Sequence, residues 1–348
     1  MYKKIGKSLF CGVFIVAFIA WWSIVVGSFS AIVPDRVVLD NQTKYLDGAR
    51  MEYVTFSSKA GSECKPIDRH GILVRVPNAK ATILVCHGFM CNKFDVSFIP
   101  YLLFPQYNVL TFDFRAHGEN VDPEDCCTFG RDEALDVAGA VEYIRAQEDL
   151  KDLPLLAYGF SMGAVAAIQA QSEAERNKQR FFDAMVLDCP YDSSENVLKR
   201  CMQHLKFSIL GYTFDIPGKK FLERYAFNSY VQSILKSILK TVAQMNATAT
   251  NTYIYPFSPA ESIKDVTVPC FFIHCYNDEK VSVEAAHRLF DNACGYKRLW
   301  ITKGRWHFDS IFFNPKKYVY KVRVFINDVL SGNVRSKPQQ KILSDIKQ

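Results

Sequence analysis

The chain is punctuated by short, largely apolar runs: Ala81–Cys86, Asn108–Phe112, Leu155–Tyr158, Ala184–Asp188, Cys270–His274 and Arg298–Thr302. Each is continuous rather than alternating and is bounded by turn residues, the pattern of a parallel strand covered on both faces. Between them the period changes. Ala134, Val137, Ala138, Val141 and Ile144 recur at helical spacing, and Ala164–Ala170 is a helix of small residues. This alternation predicts an α/β fold, a mainly parallel sheet flanked by helices. Glu52–Phe56 and Gly71–Val76 predict an antiparallel pair that opens the sheet.

One stretch breaks the rhythm. From Asp192 to Val268 there is no good central strand, and residues 192–262 are expected to form a helical cap inserted before the strand at Cys270. Its clearest helix places Val231, Ile234, Leu235, Ile238, Leu239, Val242 and Met245 on one face, with Ser233, Lys236, Ser237, Lys240 and Gln244 on the other. An insertion this long within a compact sheet is usually functional. The apolar face packs on the body or, with its lysines, meets a membrane surface. The main domain is expected over residues 49–330, followed by a flexible tail at 331–348.

The amino terminus carries a second kind of hydrophobicity. Leu9 to Val26 holds no charge, and Lys3, Lys4 and Lys7 precede it. At 1.5 Å per residue the run spans about 27 Å, enough for a bilayer core. Residues 9–27 are therefore expected to be a transmembrane signal-anchor, with residues 1–8 cytoplasmic, 28–48 a linker, and the main domain on the extracytoplasmic side. The alternative is a cleaved signal peptide, for which Ser28-Phe29-Ser30 offers small residues and which would make the protein secreted. The apolar run exceeds the roughly 7–15 residues of such peptides. Asn41 and Asn246 head glycosylation sequons, meaningful only in a eukaryotic secretory pathway.

Composition narrows the function classes. With 49% hydrophobic and 22% charged residues the chain is too apolar for disorder. Its net charge of +6 is a mild excess with no long basic block, so no nucleic-acid partner is expected. Eleven cysteines in 348 residues are too sparse for a disulfide scaffold. Cys86, Cys189, Cys270 and Cys275 fall in apolar runs and read as buried; Cys126-Cys127, beside a turn, are the better disulfide candidates. There is no metal-spaced Cys/His set, and neither metal nor organic cofactor is expected.

Gly159-Phe160-Ser161-Met162-Gly163 follows the Leu155–Tyr158 strand and opens the small-residue helix. A serine between strand and helix sits on a sharp turn, and flanking glycines let neighbouring backbone approach. The helix amino terminus then faces any oxyanion that develops there. Here the chain resembles the α/β-hydrolase family, from about Met51 to Leu330, and among its members the single-pass membrane-anchored and serine-aminopeptidase-like hydrolases. His87-Gly88-Phe89 resembles the family's oxyanion loop, which implies the backbone amides of Phe89 and Met162 as oxyanion donors. His87 and His117 (in Asp113-Phe-Arg115-Ala-His117-Gly118) are expected to be structural. The family's order is Ser, acid, His. His274-Cys-Tyr-Asn-Asp278-Glu-Lys-Val281 resembles its acid turn and implies Asp278, with Asp188 in reserve. His307, beyond the last strand, stands where the base belongs. Departures are Cys275 for the usual Gly, Ser282 for Pro, and Trp306 for the Gly before the histidine.

The resemblance implies a serine hydrolase using Ser161, His307 and Asp278. Carboxylic esters, thioesters or acylglycerols are the first substrates, short peptides the second. A non-catalytic binding protein on the same fold is the rival from another class, and a cofactor-free oxidase is a further alternative.

Overall fold

In a computed structural model of the protein, residues 48–59, 67–118, 125–204, 206–209, 212–215, 224–225, 227–228, 230–233, 252–335 and 340–342 are described. The apolar run at 9–26, the linker to residue 47 and both sequons lie outside them. Among the described residues no helix is long and apolar enough to cross a membrane.

The strands are β1 (Arg50–Ser58), β2 (Ile67–Arg75), β3 (Thr82–Cys86), β4 (Asn108–Phe112), β5 (Leu155–Phe160), β6 (Ala184–Asp188), β9 (Cys270–Cys275), β10 (Lys297–Thr302) and β11 (Gln340–Ile342). They form one sheet in the order β1-β2-β4-β3-β5-β6-β9-β10-β11. β1 and β2 pair antiparallel, β2 meets β4 antiparallel, and every other pairing is parallel. A separate antiparallel ribbon joins β7 (Lys206–Ile209) to β8 (Tyr212–Asp215).

Two helical layers cover the sheet, and the pleat of each strand divides its side chains between them. Leu84 and Cys86 of β3 join the core beneath α2 (Glu133–Ala146), α3 (Met162–Arg176) and α6 (Val283–Asn292). Ile83 and Val85 join the opposite core, beneath α1 (Phe98–Leu103) and α8 (Pro315–Leu330). Burial on both faces is why these strands read as largely apolar runs rather than as alternating ones. The order of β3, β5, β6, β9 and β10 brings the carboxyl ends of the central strands to one edge, where open parallel sheets bind ligands.

The insertion adds strand to the helical cap expected over 192–262. It begins with α4 (Ser194–His204) and continues into the β7–β8 ribbon, and α5 (Pro259–Ser262) returns the chain to the sheet. Short runs such as Lys206–Ile209 carry too few residues for period to separate ribbon from helix. Of the amphipathic face read from Val231 to Met245, only Val231 lies within the described residues. The expected loose tail also differs at one point: Gln340–Ile342 adds β11 to the sheet edge, parallel to β10.

Candidate active site

Ser161 stands between β5 and α3 with φ 50° and ψ −114°. A non-glycine residue there is strained and persists only where its surroundings hold it. Its amide donates to the Asp188 carbonyl at 2.8 Å, and its carbonyl accepts from Val165 at 3.1 Å. The glycines of the motif are explained by contact. A Cβ on Gly159 would lie 2.3 Å from Ala164 Cα, and one on Gly163 would lie 2.2 Å from the Cys86 carbonyl oxygen. Both positions are backbone against backbone, which only glycine allows.

The imidazole of His307 lies between Ser161 and Asp278. Its Nε2 is 2.8 Å from Ser161 Oγ, and its Nδ1 is 2.6 Å from Asp278 Oδ2. With neutral imidazole, Nδ1–H donates to the carboxylate and the serine O–H donates to Nε2. The other Asp278 oxygen accepts the amides of Lys280 at 2.8 Å and Val281 at 2.9 Å. Burial alone would raise the Asp278 carboxyl, but attraction and hydrogen bonding from His307, with the Val281 amide, hold it down at about 2. It is therefore ionised across the neutral range, as a group that fixes an imidazole tautomer must be.

The three departures from the family pattern are accommodated locally. Cys275 points its Sγ at Gly304, where an added Cβ would lie 2.5 Å away, and sits 3.1 Å from Ser310 Oγ. Ser282 takes φ −72°, close to the angle that proline would impose. Trp306 turns outward and is exposed, with the Arg305 guanidinium 4.2 Å over its ring, so it leaves the imidazole's place free. The histidine loop is tied down from beneath: Asp309 accepts the Arg305 amide at 2.8 Å, and Ser310 Oγ lies 2.8 Å from Thr302 Oγ1.

The His87-Gly88-Phe89 loop is adjacent. An ideal Cβ on Gly88 would lie 3.7 Å from Ser161 Cβ, so the Phe89 amide follows a residue in contact with the serine. Met162 opens α3, where first-turn amides have no intrahelical acceptor. The loop is held by Lys93, whose backbone and Nζ donate to the two oxygens of Asp113 at 2.7 and 2.6 Å. His87 is buried; its Nδ1 lies 2.8 Å from the Gly88 carbonyl, and its Nε2 accepts the Phe114 amide at 3.1 Å. Burial, with His117 nearby, keeps it well below the ordinary histidine range. His117 bonds through Nδ1 to the Arg115 carbonyl at 2.7 Å, and burial lowers it to about 4. Both histidines brace loops through hydrogen bonds to backbone.

Asp188, the reserve acid, is differently engaged. Its Oδ2 accepts the Tyr318 hydroxyl at 2.6 Å, which in turn lies 2.7 Å from the Tyr158 hydroxyl. Its Oδ1 is buried with no N–H or O–H partner among the described residues. Burial raises its carboxyl to about 6 despite the Tyr318 bond. The sequence reading missed this Tyr158–Tyr318–Asp188 chain, because residues 160 positions apart meet only once α8 packs across β5 and β6. Cys127, of the pair considered for a disulfide, is buried with Sγ 3.8 Å from Met162 Sδ and is a free thiol. Left-handed non-glycine residues gather here too: Met90, Ala116, Phe129, Ser161, Cys189 and Phe308 lie in loops at this edge.

Comparison with known proteins gives a consistent picture. The sequence model of a family described as serine aminopeptidase, S33, matches residues 77–313. The uncharacterized protein YqkD of Bacillus subtilis (strain 168) is 24% identical over 263 residues, 75% of this chain and 76% of the relative. The esterase Pf2001 of Pyrococcus furiosus has a similar structure, with TM-score 0.61 and 22% identity, covering 86% of this chain and 100% of that one. An acylaminoacyl peptidase of Pyrococcus horikoshii is similar at TM-score 0.53 and 14% identity, over 83% of this chain and 42% of that longer one. At such identities the structural likeness is one of fold.

Proposed function

This chain belongs to the serine aminopeptidase S33 family, within the α/β-hydrolases, and from that premise we propose that it is a serine hydrolase cleaving carboxylic ester or thioester bonds of acyl or lipid-type substrates. The observation that carries the reading is the unbroken hydrogen-bonded chain from Ser161 Oγ through His307 to Asp278. A serine hydroxyl is a weak nucleophile until a base takes its proton, and the base needs a carboxylate to hold its tautomer.

In this mechanism Ser161 Oγ attacks the substrate carbonyl carbon while its proton passes to His307 Nε2. Asp278 stabilises the imidazolium that results. The carbonyl oxygen becomes an oxyanion held by the Phe89 and Met162 amides, aided by the positive end of α3. Collapse breaks the bond to the alcohol or thiol, which leaves with the proton from His307. Water, deprotonated by the same imidazole, then attacks the acyl-enzyme and releases the acid and Ser161.

Short peptides are the second reading, favoured by the family's description as aminopeptidases. Parallel turnover of acyl p-nitrophenyl esters and aminoacyl p-nitroanilides by wild type and Ser161→Ala separates them. Ester hydrolysis that depends on Ser161 supports the first reading, and faster Ser161-dependent anilide cleavage supports the second. Wild-type inactivity on both overturns the hydrolase.

The apolar run of residues 9–26 belongs to the proposal as a single-pass anchor with a cytoplasmic amino terminus and an extracytoplasmic domain. Its length and the preceding Lys3, Lys4 and Lys7 support this. Sequencing of the mature amino terminus distinguishes it from a cleaved signal peptide.

A further inference from the structure

We propose that the face carrying Trp306, Phe312, Phe313 and Tyr320 docks on an anionic lipid bilayer, with the rim of the Ser161 site at headgroup level. These side chains are 56%, 60%, 46% and 68% exposed. Large aromatics exposed together on one surface mark an interaction site.

Contacts join part of this surface to α1. Phe98 of α1 lies 5.9 Å from Phe312, centroid to centroid. Leu102, one turn further along α1, lines an open groove of about 540 Å³ with Pro315, Val319 and Tyr320, together with Lys316 and Arg323. On the other side, Trp306 precedes His307 directly. Exposed aromatics thus recur from the histidine loop through α7 (Ser310–Phe313) and onto α8.

Charge selects the occupant. Residues 303–324 contain Lys303, Arg305, Lys316, Lys317, Lys321 and Arg323 against one carboxylate, Asp309. This stretch of 22 residues therefore carries a net charge of +5. Asp309 is buried and paired with Arg305, so it presents no repulsion to an anionic surface. Protein partners favour interface centres depleted in lysine. Here lysines sit among the aromatics: Lys316 and Lys317 follow the Phe pair, and Lys321 follows Tyr320. Aromatic rings at the acyl boundary with cations reaching the headgroups is the arrangement that an anionic bilayer favours. On the anchored reading, the 23 residues from Gly27 to Ala49 reach at most about 80 Å, ample for the domain to turn this face to the bilayer. The docking itself does not depend on Ser161 being a nucleophile, nor on the anchor.

The test reads Trp306 directly. In the full chain, Trp21→Phe and Trp22→Phe leave only buried Trp300 and exposed Trp306. This protein is combined with phosphatidylcholine vesicles, with and without phosphatidylserine, whose acyl chains carry bromine as a contact quencher. The expected result is quenching that is stronger with phosphatidylserine, is weakened by salt, and is lost in a further Trp306→Phe variant. Each cation near an anionic surface contributes about fivefold to binding, so Lys316→Gln with Lys317→Gln reduces the quenching while leaving the thermal midpoint unchanged. Phe312→Ser with Phe313→Ser reduces it in both lipids. Emission that bromine leaves untouched in either vesicle overturns the docking, and equal quenching with and without phosphatidylserine overturns its electrostatic basis.

Discussion

Gly163→Ala is the sharpest single-atom perturbation of the proposed machinery. The new Cβ would lie 2.2 Å from the Cys86 carbonyl oxygen and 2.4 Å from that of His87, whereas real Cβ atoms do not come within 3.0 Å of such neighbours. Both obstacles are backbone atoms at the end of β3, with no torsion that swings them aside. Relief requires α3 and the His87 loop to part by about 0.8 Å, and such overpacking costs about 1–3 kcal/mol. The two elements that separate are those supplying the Met162 and Phe89 amides. A displacement of about 1 Å in a catalytic constellation costs about 10²-fold, and donors that act on the transition state lower kcat rather than raise KM. Steady-state kinetics on a p-nitrophenyl ester, beside thermal denaturation, reads both effects. Gly88→Ala is the control. Its Cβ would meet nothing closer than 3.6 Å, so its stability stays within about 0.5 kcal/mol of wild type. Wild-type kcat in Gly163→Ala, or equal damage from both substitutions, would refute the contact argument.

Three further outcomes follow from the same geometry. Asp278→Asn keeps an oxygen for the Lys280 and Val281 amides but no longer fixes the His307 tautomer, and kcat on an ester is expected to fall by about 10⁴. Asp188 titrates near 6 when folded. A carboxyl raised in this way favours folding at low pH and opposes it as pH rises from about 4 through 6. Asp188→Asn retains an acceptor for Tyr318 and is expected to gain stability over wild type between pH 4 and pH 7, on the order of 3 kcal/mol in denaturant titrations. Lys93→Met removes the cation from the buried Asp113 carboxylate while leaving the Lys93 backbone N–H on it, a loss of about 3–5 kcal/mol measurable as a lower urea midpoint.

The parts of the fold legible in the sequence are those in which one local pattern has one solution. Burial on both faces makes β3, β5, β6 and β9 largely apolar, and alanines recur through Ala164–Ala170 where α3 packs on the sheet. The candidate site was legible for a related reason. Ser161, Asp278 and His307 each follow a strand, so parallel strand order alone brings them to one edge. What escaped depends on tertiary pairing. Tyr318 and Tyr158 look like ordinary core aromatics until the packing of α8 on the sheet sets them against Asp188. The β7–β8 ribbon escaped because four-residue strands show no decisive period. The fit of Cys275 against Gly304 escaped because compensation between residues far apart leaves no local mark. Trp306 was legible as a departure, but its outward turn depends on Arg305 and on the Asp309 anchor.

Covalent capture tests the central claim most directly. Full-length protein treated with a fluorophosphonate and digested for mass spectrometry is expected to carry a single adduct on Ser161. The adduct should be absent in Ser161→Ala and should form far more slowly in His307→Ala, because Ser161 Oγ then has no proton acceptor. An unlabelled Ser161 in protein that still hydrolyses esters, or labelling whose rate ignores His307, would contradict the account.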